Sequence, residues 1–480
     1  MTDSFSLLGL LVSLLTPWLF GGLLLRRWLG RGWHWALIAG HGFLLGYLLI
    51  TVVMRLWDAL GLKLAFWPIV GMLAVMAGVL LGLKRGAQDQ DGVLANTPQE
   101  ASRSPRVLKL GAVLLLGLAA VHWLSAVWEI VQRPLYPWDA WSAWVPKTVQ
   151  FFHARSLDFE LVTIGAKHAE TVNVIHLWSM LGTGVSAHPL LQLPWAMAFL
   201  ALLLGVFGHA RHLGFSVPVA ALTCYLVSSL PYVGIHAALA GYADLWVLLA
   251  FSLSVMALSL RDRRLIWVVP LYIVACVSIK RAGVGMAGIL LLCLLAPRMW
   301  FGLKALRRQL ETPRSRQLLA LLGGEVLIVA GLVIFVGMTF RVPLPGLAPL
   351  EISGNIVTLS WAGVYELNYE PIWEPLWQNL YLSANWHLLY YLLPVGIVAV
   401  VVTRHWSLVR QPLVVAPLLG LVFGASFHAL VQPWAAYDQT GLTRALMYSA
   451  PGLVLWLVLV VLTLSRAPGS HSSEPGLQRA

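Results

Sequence analysis

A carboxylate and an ammonium group lie close together in an aromatic stretch of an otherwise apolar chain. The stretch reads YPWDAWSAWVPKTVQFFH and includes Asp139 and Lys147. A carboxylate can accept a proton, and a lysine offers a mobile positive charge to a phosphate. Their spacing of about two helical turns places both side chains on a similar face of a helix. The alternative is a belt of interfacial tryptophans that contains an incidental acid.

A second carboxylate, Asp244, has a similar setting in the stretch HAALAGYADLWVLLAF. Gly241 and Ala243 leave room there for a close approach of backbone. An acid in the first turn of a helix is also favourable in itself, by about 0.3–1 kcal/mol, so a simple helix-capping role stays open. Asp139 and Asp244 are the two candidate catalytic residues.

The composition indicates a membrane protein. The 480-residue chain is 59% hydrophobic and 11% charged, and its mean hydropathy is +0.79. A soluble domain carries about 25% charged residues. Apolar stretches of spanning length must satisfy their own backbone groups in lipid, which favours helices. The net charge of +12 then belongs to loop arginines that set orientation, and nucleic acid is not an expected partner.

We therefore predict an all-α polytopic membrane protein with about 13 transmembrane helices. Three leading helices occupy residues 1–85, a cytoplasmic linker 86–107, a transmembrane core 108–465 and a disordered tail 466–480. Two long extracytoplasmic loops cover 132–187 and 341–385. The predicted spans are 6–25, 34–54, 64–83, 109–130, 188–209, 215–235, 242–260, 264–280, 282–298, 318–340, 386–403, 412–432 and 446–465.

The loop charges predict the orientation. With the N-terminus outside, 22 of the 32 Lys and Arg residues fall on the cytoplasmic side. The opposite orientation inverts that ratio, so the positive-inside rule favours an outer N-terminus and a cytoplasmic C-terminus. Both candidate acids then face the outside.

Basic and aromatic residues on the same side are candidates for substrate contacts. Arginine and lysine bind phosphate oxygens, although a basic residue at a helix end more often reaches the lipid headgroups. Tryptophans stack on sugar faces, and acids bind hydroxyls. His168 and Glu170 could also hold a metal, although no spacing here resembles a structural metal site. The candidate phosphate-binding residues are Lys147, Lys280, Arg281 and Arg444. The candidate substrate-loop residues are Trp138, Trp141, Tyr242, His168 and Glu170.

These motifs resemble those of the GT-C glycosyltransferases. The resemblance rests on WDAW with a lysine eight residues after Asp139, and on GYAD, which ends in Asp244. It is similar in particular to bacterial relatives of the protein mannosyltransferases and the lipid A aminoarabinose transferases, and it covers roughly residues 108–465. It implies a polyprenyl-phosphate-linked sugar as donor, an extracytoplasmic acceptor, inversion at the sugar carbon, and the bacterial inner membrane as location. It also implies that Asp139 is the catalytic base.

Two segments depart from the family pattern. Relatives often carry Lys-Asn-Glu-Gly where this chain reads Lys280-Arg281-Ala282-Gly283, and a Tyr-Pro-Pro-like stretch where it reads VNVIHLWSML. The departures leave two alternatives open, namely a lipid or sugar transporter or flippase, and a non-catalytic partner that kept the fold. No cofactor follows from the residues, and a divalent cation stays open.

The predicted topology can be tested with reporter fusions. Fusions placed after Arg31, Ser142, Arg263 and Ser470 should read inside, outside, inside and inside, because these points follow the charge asymmetry of the loops. A cytoplasmic signal at Ser142 would place Asp139 in the wrong compartment and would contradict a role in transfer outside the membrane.

Overall fold

The computed structural model of the protein describes residues 4–30, 32–82, 105–158, 170–309, 339–344, 347–359 and 363–465. Four sequence predictions lie wholly or largely outside these ranges: the span over 318–340, the linker over 86–107, His168 and the C-terminal tail.

The described chain is predominantly helical. Every predicted span within the described ranges coincides with one helix or with two consecutive helices. The first thirteen helices are α1 (Leu7–Leu29), α2 (Trp35–Ala59), α3 (Phe66–Gly82), α4 (Arg106–Gln132), α5 (Val145–Ala154), α6 (Thr171–Thr183), α7 (Leu193–His212), α8 (Val217–Ser228), α9 (Pro231–Ala238), α10 (Asp244–Leu260), α11 (Arg263–Ile266), α12 (Val268–Ile279) and α13 (Gly283–Gln309). After the sheet follow α14 (Trp373–Trp377), α15 (Leu389–Val402), α16 (Trp406–Val409), α17 (Pro412–Leu430), α18 (Trp434–Tyr437) and α19 (Gly441–Leu464).

Six of these helices are long and apolar enough to cross a membrane. They are α1, α2, α4, α7 with the 3₁₀ turn before it, α17 and α19. A seventh span results if α8 and α9, which meet at 66°, count as one broken helix. The apolar helices α3, α10 and α15 are shorter. The protein is thus a polytopic helical chain, and the count of thirteen spans stays a prediction.

The prediction of an all-α chain is wrong in one region. The second long loop contains a four-stranded antiparallel meander, β1 (Thr339–Leu344), β2 (Leu347–Ser353), β3 (Ile356–Leu359) and β4 (Gly363–Glu366). Gly354 and Asn355 form the tight turn between β2 and β3, and Gly354 has the positive φ that such a turn requires. The strands are too short for the hydropathy pattern that reveals spanning helices.

The first long loop also holds more structure than expected. Within the predicted loop 132–187, α6 is a helix in which every residue is buried. Its neighbours are α1, α2, α3 and α5. Because a fully buried helix needs apolar contacts on all its faces, α6 belongs to the protein interior rather than to an open loop.

Glycines allow the leading helices to pack directly on the core. A β carbon on Gly208 of α7 would lie 2.2 Å from the backbone nitrogen of Leu37 in α2. A β carbon on Gly9 of α1 would lie 1.7 Å from the carbonyl oxygen of Gly182 in α6. Such backbone contact between helices is the usual use of small residues in membrane bundles. The leading helices are therefore packed against the core.

The helix ends separate into two groups. At one end of the bundle, the indole of Trp28 donates to the carbonyl of Arg264, whose guanidinium donates to the carbonyl of Leu29. At the other end, the N–H of Leu64 donates to the carbonyl of Arg155. This alternation agrees with the predicted order of loops, while the side that faces outward stays a prediction.

The glycine contact between α2 and α7 can be tested with a matched pair of substitutions. Gly208→Ala should destabilise the protein by about 1–3 kcal/mol, because its β carbon would overlap the α2 backbone. Gly117→Ala in α4 meets nothing within 4 Å. It should be neutral or stabilise by up to about 1 kcal/mol, because alanine is the better helix former. Equal unfolding free energies for both variants in detergent would contradict the described packing.

Candidate functional site

The segment that carries Asp139 is helical, as its spacing predicted. Asp139 precedes one π-helical turn, Ala140–Trp144, which continues without a break into α5. Pro146 lies in the first turn of α5, directly after the π-helical turn. Trp138 and Trp141 are exposed, and their rings meet edge to face at 4.7 Å.

A glycine brings the GYAD segment against this turn. Gly241 has a φ of +91°, and a β carbon there would lie 2.5 Å from the β carbon of Ala140. Next in sequence, the hydroxyl of Tyr242 accepts the backbone N–H of Asp139 at 3.3 Å. The Tyr242 carbonyl is itself fixed by the indole N–H of Trp195 at 2.7 Å. The close approach predicted at Gly241 is therefore present, and it is made to Ala140.

One guanidinium connects the two candidate acids. Nη1 of Arg444, in the first turn of α19, lies 3.0 Å from Oδ2 of Asp139 and 3.9 Å from Oδ2 of Asp244. The guanidinium also lies over the ring of Tyr242, 5.1 Å from its centroid. Since both contacts start from the same nitrogen, the carboxylates are well within the roughly 15 Å expected of groups that share a ligand site.

Asp244 is buried and fully engaged. Its side chain is 1% exposed. Nζ of Lys280 lies 2.8 Å from each of its carboxylate oxygens, and the hydroxyl of Tyr448 donates to Oδ1 at 2.5 Å. A carboxylate that is buried against an ammonium and a hydroxyl is well satisfied as an anion, and at 1% exposure it is closed to a substrate. Asp244 therefore positions its neighbours, and the catalytic role predicted for it does not fit its surroundings.

Asp139 is the accessible acid of the pair. Its side chain is 37% exposed. Arg444 contacts Oδ2, and no hydrogen bond to Oδ1 is found within the described part of the chain. The carboxylate is therefore oriented through one oxygen while the other is available to a hydroxyl group.

The four charges of this cluster cancel. Asp139, Asp244, Lys280 and Arg444 supply two negative and two positive charges. Arg281 is the next residue after Lys280 and is exposed. Its Nη1 lies 3.7 Å from the position that a β carbon would take on Gly363, at the start of β4. Arg281 is thus a cation near the start of β4 that takes part in neither of the two described ion pairs.

Lys147 and Glu170, two of the predicted substrate contacts, lie against each other. Nζ of Lys147 is fully buried and lies 2.6 Å from Oε1 of Glu170. Nη1 of Arg55, a residue that the sequence did not single out, lies 3.5 Å from Oε2 of the same carboxylate. Charges that are buried against each other are not free to bind a donor phosphate or an acceptor hydroxyl, so this trio is a separate structural cluster.

Two more residues of the site escaped the sequence analysis. Tyr448 follows Arg444 by one helical turn in the same helix, so its spacing would have placed it on the same face. His236 is buried beside Tyr242, with ring centroids 6.0 Å apart, and its Nδ1 has no hydrogen-bond partner within the described residues. No sequence pattern distinguished this histidine from the others.

A second polar cluster lies inside the helix bundle. Nε2 of His41 lies 2.8 Å from Nε2 of His209, and Nδ1 of His41 lies 3.0 Å from the hydroxyl of Tyr272. These three buried side chains join α2, α7 and α12. Interhelical hydrogen bonds of this kind help to hold membrane helices together.

Glu129 is an acid close to Asp139 in sequence that belongs to a different ion pair. It lies near the end of α4, where Arg133 contacts its Oε1 at 2.9 Å and the hydroxyl of Tyr136 donates to the same oxygen at 3.4 Å. Burial and then the Glu129 carboxylate raise the pKa of Tyr136 above its usual value, so its hydroxyl remains a donor. Glu129 has no described contact with the Arg444 cluster.

The described residues contain no candidate metal site. Among the described residues, no group of three or more His, Cys, Asp or Glu side chains is placed to hold a metal ion. The predicted candidate His168 is outside these residues, so a divalent cation stays open.

Comparisons with protein-family models, curated proteins and solved structures find no match to this chain. The resemblance to the GT-C enzymes therefore rests on the residues themselves.

The pairing of Lys280 with the buried Asp244 can be tested against its sequence neighbour. Lys280→Met should lower the free energy of unfolding by about 3 kcal/mol, because it leaves a buried carboxylate without its nearest cation. Arg281→Met should change it by less than about 0.5 kcal/mol, as for other exposed side chains. Denaturation in detergent measures both, and equal losses would contradict the described ion pair.

Proposed function

We propose that the protein is a glycosyltransferase that moves a sugar from a polyprenyl-phosphate donor to an extracytoplasmic glycan, lipid or protein acceptor. The observation that carries the proposal is the accessible carboxylate of Asp139, held through one oxygen by Arg444 beside the buried pair of Asp244 and Lys280. A single available carboxylate among fixed cations at a helix-end cluster suits a reaction between a hydroxyl and a phosphate-linked sugar.

The acceptor hydroxyl is the nucleophile in this proposal. Its oxygen forms a bond to the anomeric carbon while the bond from that carbon to the phosphate oxygen breaks. The hydroxyl proton passes to Oδ1 of Asp139, and the bonding electrons leave with polyprenyl phosphate. A single displacement of this kind inverts the configuration at the anomeric carbon.

The cations would stabilise the leaving group. A phosphodiester carries one negative charge and becomes a phosphate monoester with up to two, so the site needs positive charge that its own acids do not neutralise. Arg444 and Lys280 are already paired with Asp139 and Asp244. Arg281 follows Lys280 in sequence, is exposed, and can give two parallel hydrogen bonds to phosphate oxygens. We assign the donor phosphate to Arg281, with Arg444 behind it.

Asp244 would act through its neighbours. It holds Lys280 by both oxygens and lies 3.9 Å from Arg444. Removing its charge would leave Lys280 without its described partner and Arg444 with Asp139 alone, which would change the geometry of the base. Asp244 is therefore a positioning residue in this proposal.

The proposal includes a location. Both acids lie at the same group of helix ends, which the loop charges of the sequence predict to face outward. A multi-pass protein of the bacterial cytoplasmic membrane, with its N-terminus outside and its C-terminus inside, would then meet a lipid-linked sugar at the outer surface. The first long loop and its exposed residues Trp138 and Trp141 would contact the lipid headgroups or the sugar.

A transporter of lipid-linked sugars is the second candidate. The observation in its favour is the His41, His209 and Tyr272 cluster within the bundle, because intramembrane ionisable groups often mark transport pathways. Transfer and transport are distinguishable in proteoliposomes, since only transfer yields free polyprenyl phosphate and a glycosylated acceptor.

The base can be tested with the substitution Asp139→Asn. The purified variant should fold normally but lose about 10²–10⁴-fold in the rate of sugar transfer, because it keeps the shape of the side chain and loses the proton acceptor. Glu129→Gln is the matched control, since it removes an acid near the same end of α4 and should leave transfer unchanged. Full transfer activity in Asp139→Asn, measured as release of polyprenyl phosphate, would exclude Asp139 as the base.

A further inference from the structure

The leading helices contact the segment that follows Asp139 at two points. The backbone N–H of Leu64, between α2 and α3, donates to the carbonyl of Arg155 at the end of α5 at 2.8 Å. The side chain of Arg55, near the end of α2, lies 3.5 Å from the carboxylate of Glu170. Both contacts come from residues 1–85, for which the family resemblance offers no role.

Lys147 and Glu170 form the strongest of the connections around α5. Lys147 is 0% exposed and Glu170 6%, and their charged atoms lie 2.6 Å apart. Removing one member of such a buried pair takes away the nearest described counter-charge of the other. Arg55 is 40% exposed and contacts the second oxygen of Glu170, so it adds a weaker link to the same carboxylate.

A polar side chain of α6 adds hydrogen bonds to the same turn of α5. The amide of Asn173 donates to the carbonyl of Trp144 and to Oγ1 of Thr148. Helix α6 is itself held by the leading helices, since the N–H of Ser6 donates to the carbonyl of Thr183 at 3.0 Å. Helix α5 is thus attached to a buried helix that α1, α2 and α3 surround.

The position of α5 determines the position of Asp139. The helical segment from Ala140 to Ala154 has no break. A shift of α5 would therefore be transmitted to Asp139 and to its 3.0 Å contact with Arg444. Misplacement of a reacting group by about 1 Å can cost on the order of 10²-fold in rate.

We propose that Lys147, Glu170 and Arg55 form an ionic clamp through which the leading helices position Asp139. The effect on catalysis rests on the proposed transfer function, while the effect on α5 does not. Lys147 is a positioning residue in this account, and it does not contact the donor.

The test is a double-variant cycle in nanodiscs with two readouts. Hydrogen exchange of the peptide that covers residues 144–155 reports the attachment of α5, and transfer kinetics report the position of Asp139. Lys147→Met and Glu170→Gln should each speed exchange by about tenfold. Each should also lower kcat on the order of 10²-fold, with an unchanged KM for the donor. The double variant should show the same fast exchange and the same loss of kcat as the single variants, because the link between α5 and Glu170 is absent in all three.

Two further variants keep the test decisive if a single charge deletion fails to fold. The Arg55 side chain is partly exposed. Arg55→Gln should therefore speed exchange of the same peptide by only a few fold, with a smaller loss of kcat. The pair of Glu129→Gln and Arg133→Met removes an exposed ion pair at the end of α4. It should change neither readout.

The results that would overturn the clamp differ from the result that would count against the proposed function. Exchange like that of the unaltered protein in both single variants would overturn the clamp. Full recovery of both readouts in the double variant would also overturn it. A raised KM for the donor in Lys147→Met but not in Glu170→Gln would make Lys147 a donor contact and would overturn it as well. The expected exchange pattern in a protein with no transfer activity would support the clamp and count against the proposed function instead.

Discussion

The guanidinium of Arg444 holds together parts of the chain that are far apart in sequence. Its partner Asp139 lies 305 positions away, and Asp244 belongs to a third segment. A charge at the end of a membrane helix is costly unless it is paired or hydrated. The first turn of α19, the π-helical turn after Asp139 and the start of α10 therefore have to meet, and the other contacts of the site follow from this meeting.

The two acids differ because their surroundings differ. Asp244 is closed in by Lys280 and Tyr448, while Asp139 keeps one oxygen accessible. A pair of similar carboxylates thus divides into a buried group that fixes the cations and an exposed group that can react. Gly241 makes the division possible, because only a residue without a side chain lets the GYAD segment touch Ala140.

The sequence predicts the helices and the identity of the charged residues well, because hydropathy and residue type are local properties. It predicts partners poorly. Lys147 lies two turns after Asp139 and was therefore expected at the phosphate, but Glu170 occupies it. Arg55 could not be identified from the sequence, because its contact with Glu170 joins segments more than a hundred residues apart. The sheet over Thr339–Glu366 was missed because its strands are short and partly polar.

Long-range contacts also explain the leading helices. Their sequence shows only apolar periodicity, and the packing of Gly208 on Leu37 is what makes them part of the core. The same helices reach the segment around α5 through Arg55 and Leu64. The three leading helices therefore form a layer that packs against the rest of the described bundle.

A cryo-EM structure of the purified protein with a bound polyprenyl-phosphate sugar tests the central claim most directly. The account predicts the phosphate against Arg281 and Arg444, the anomeric carbon on the open side of Asp139, and the Asp244 and Lys280 pair intact beneath it. Density for the sugar or the phosphate away from Asp139, for example beside His41 and His209 within the bundle, would contradict it.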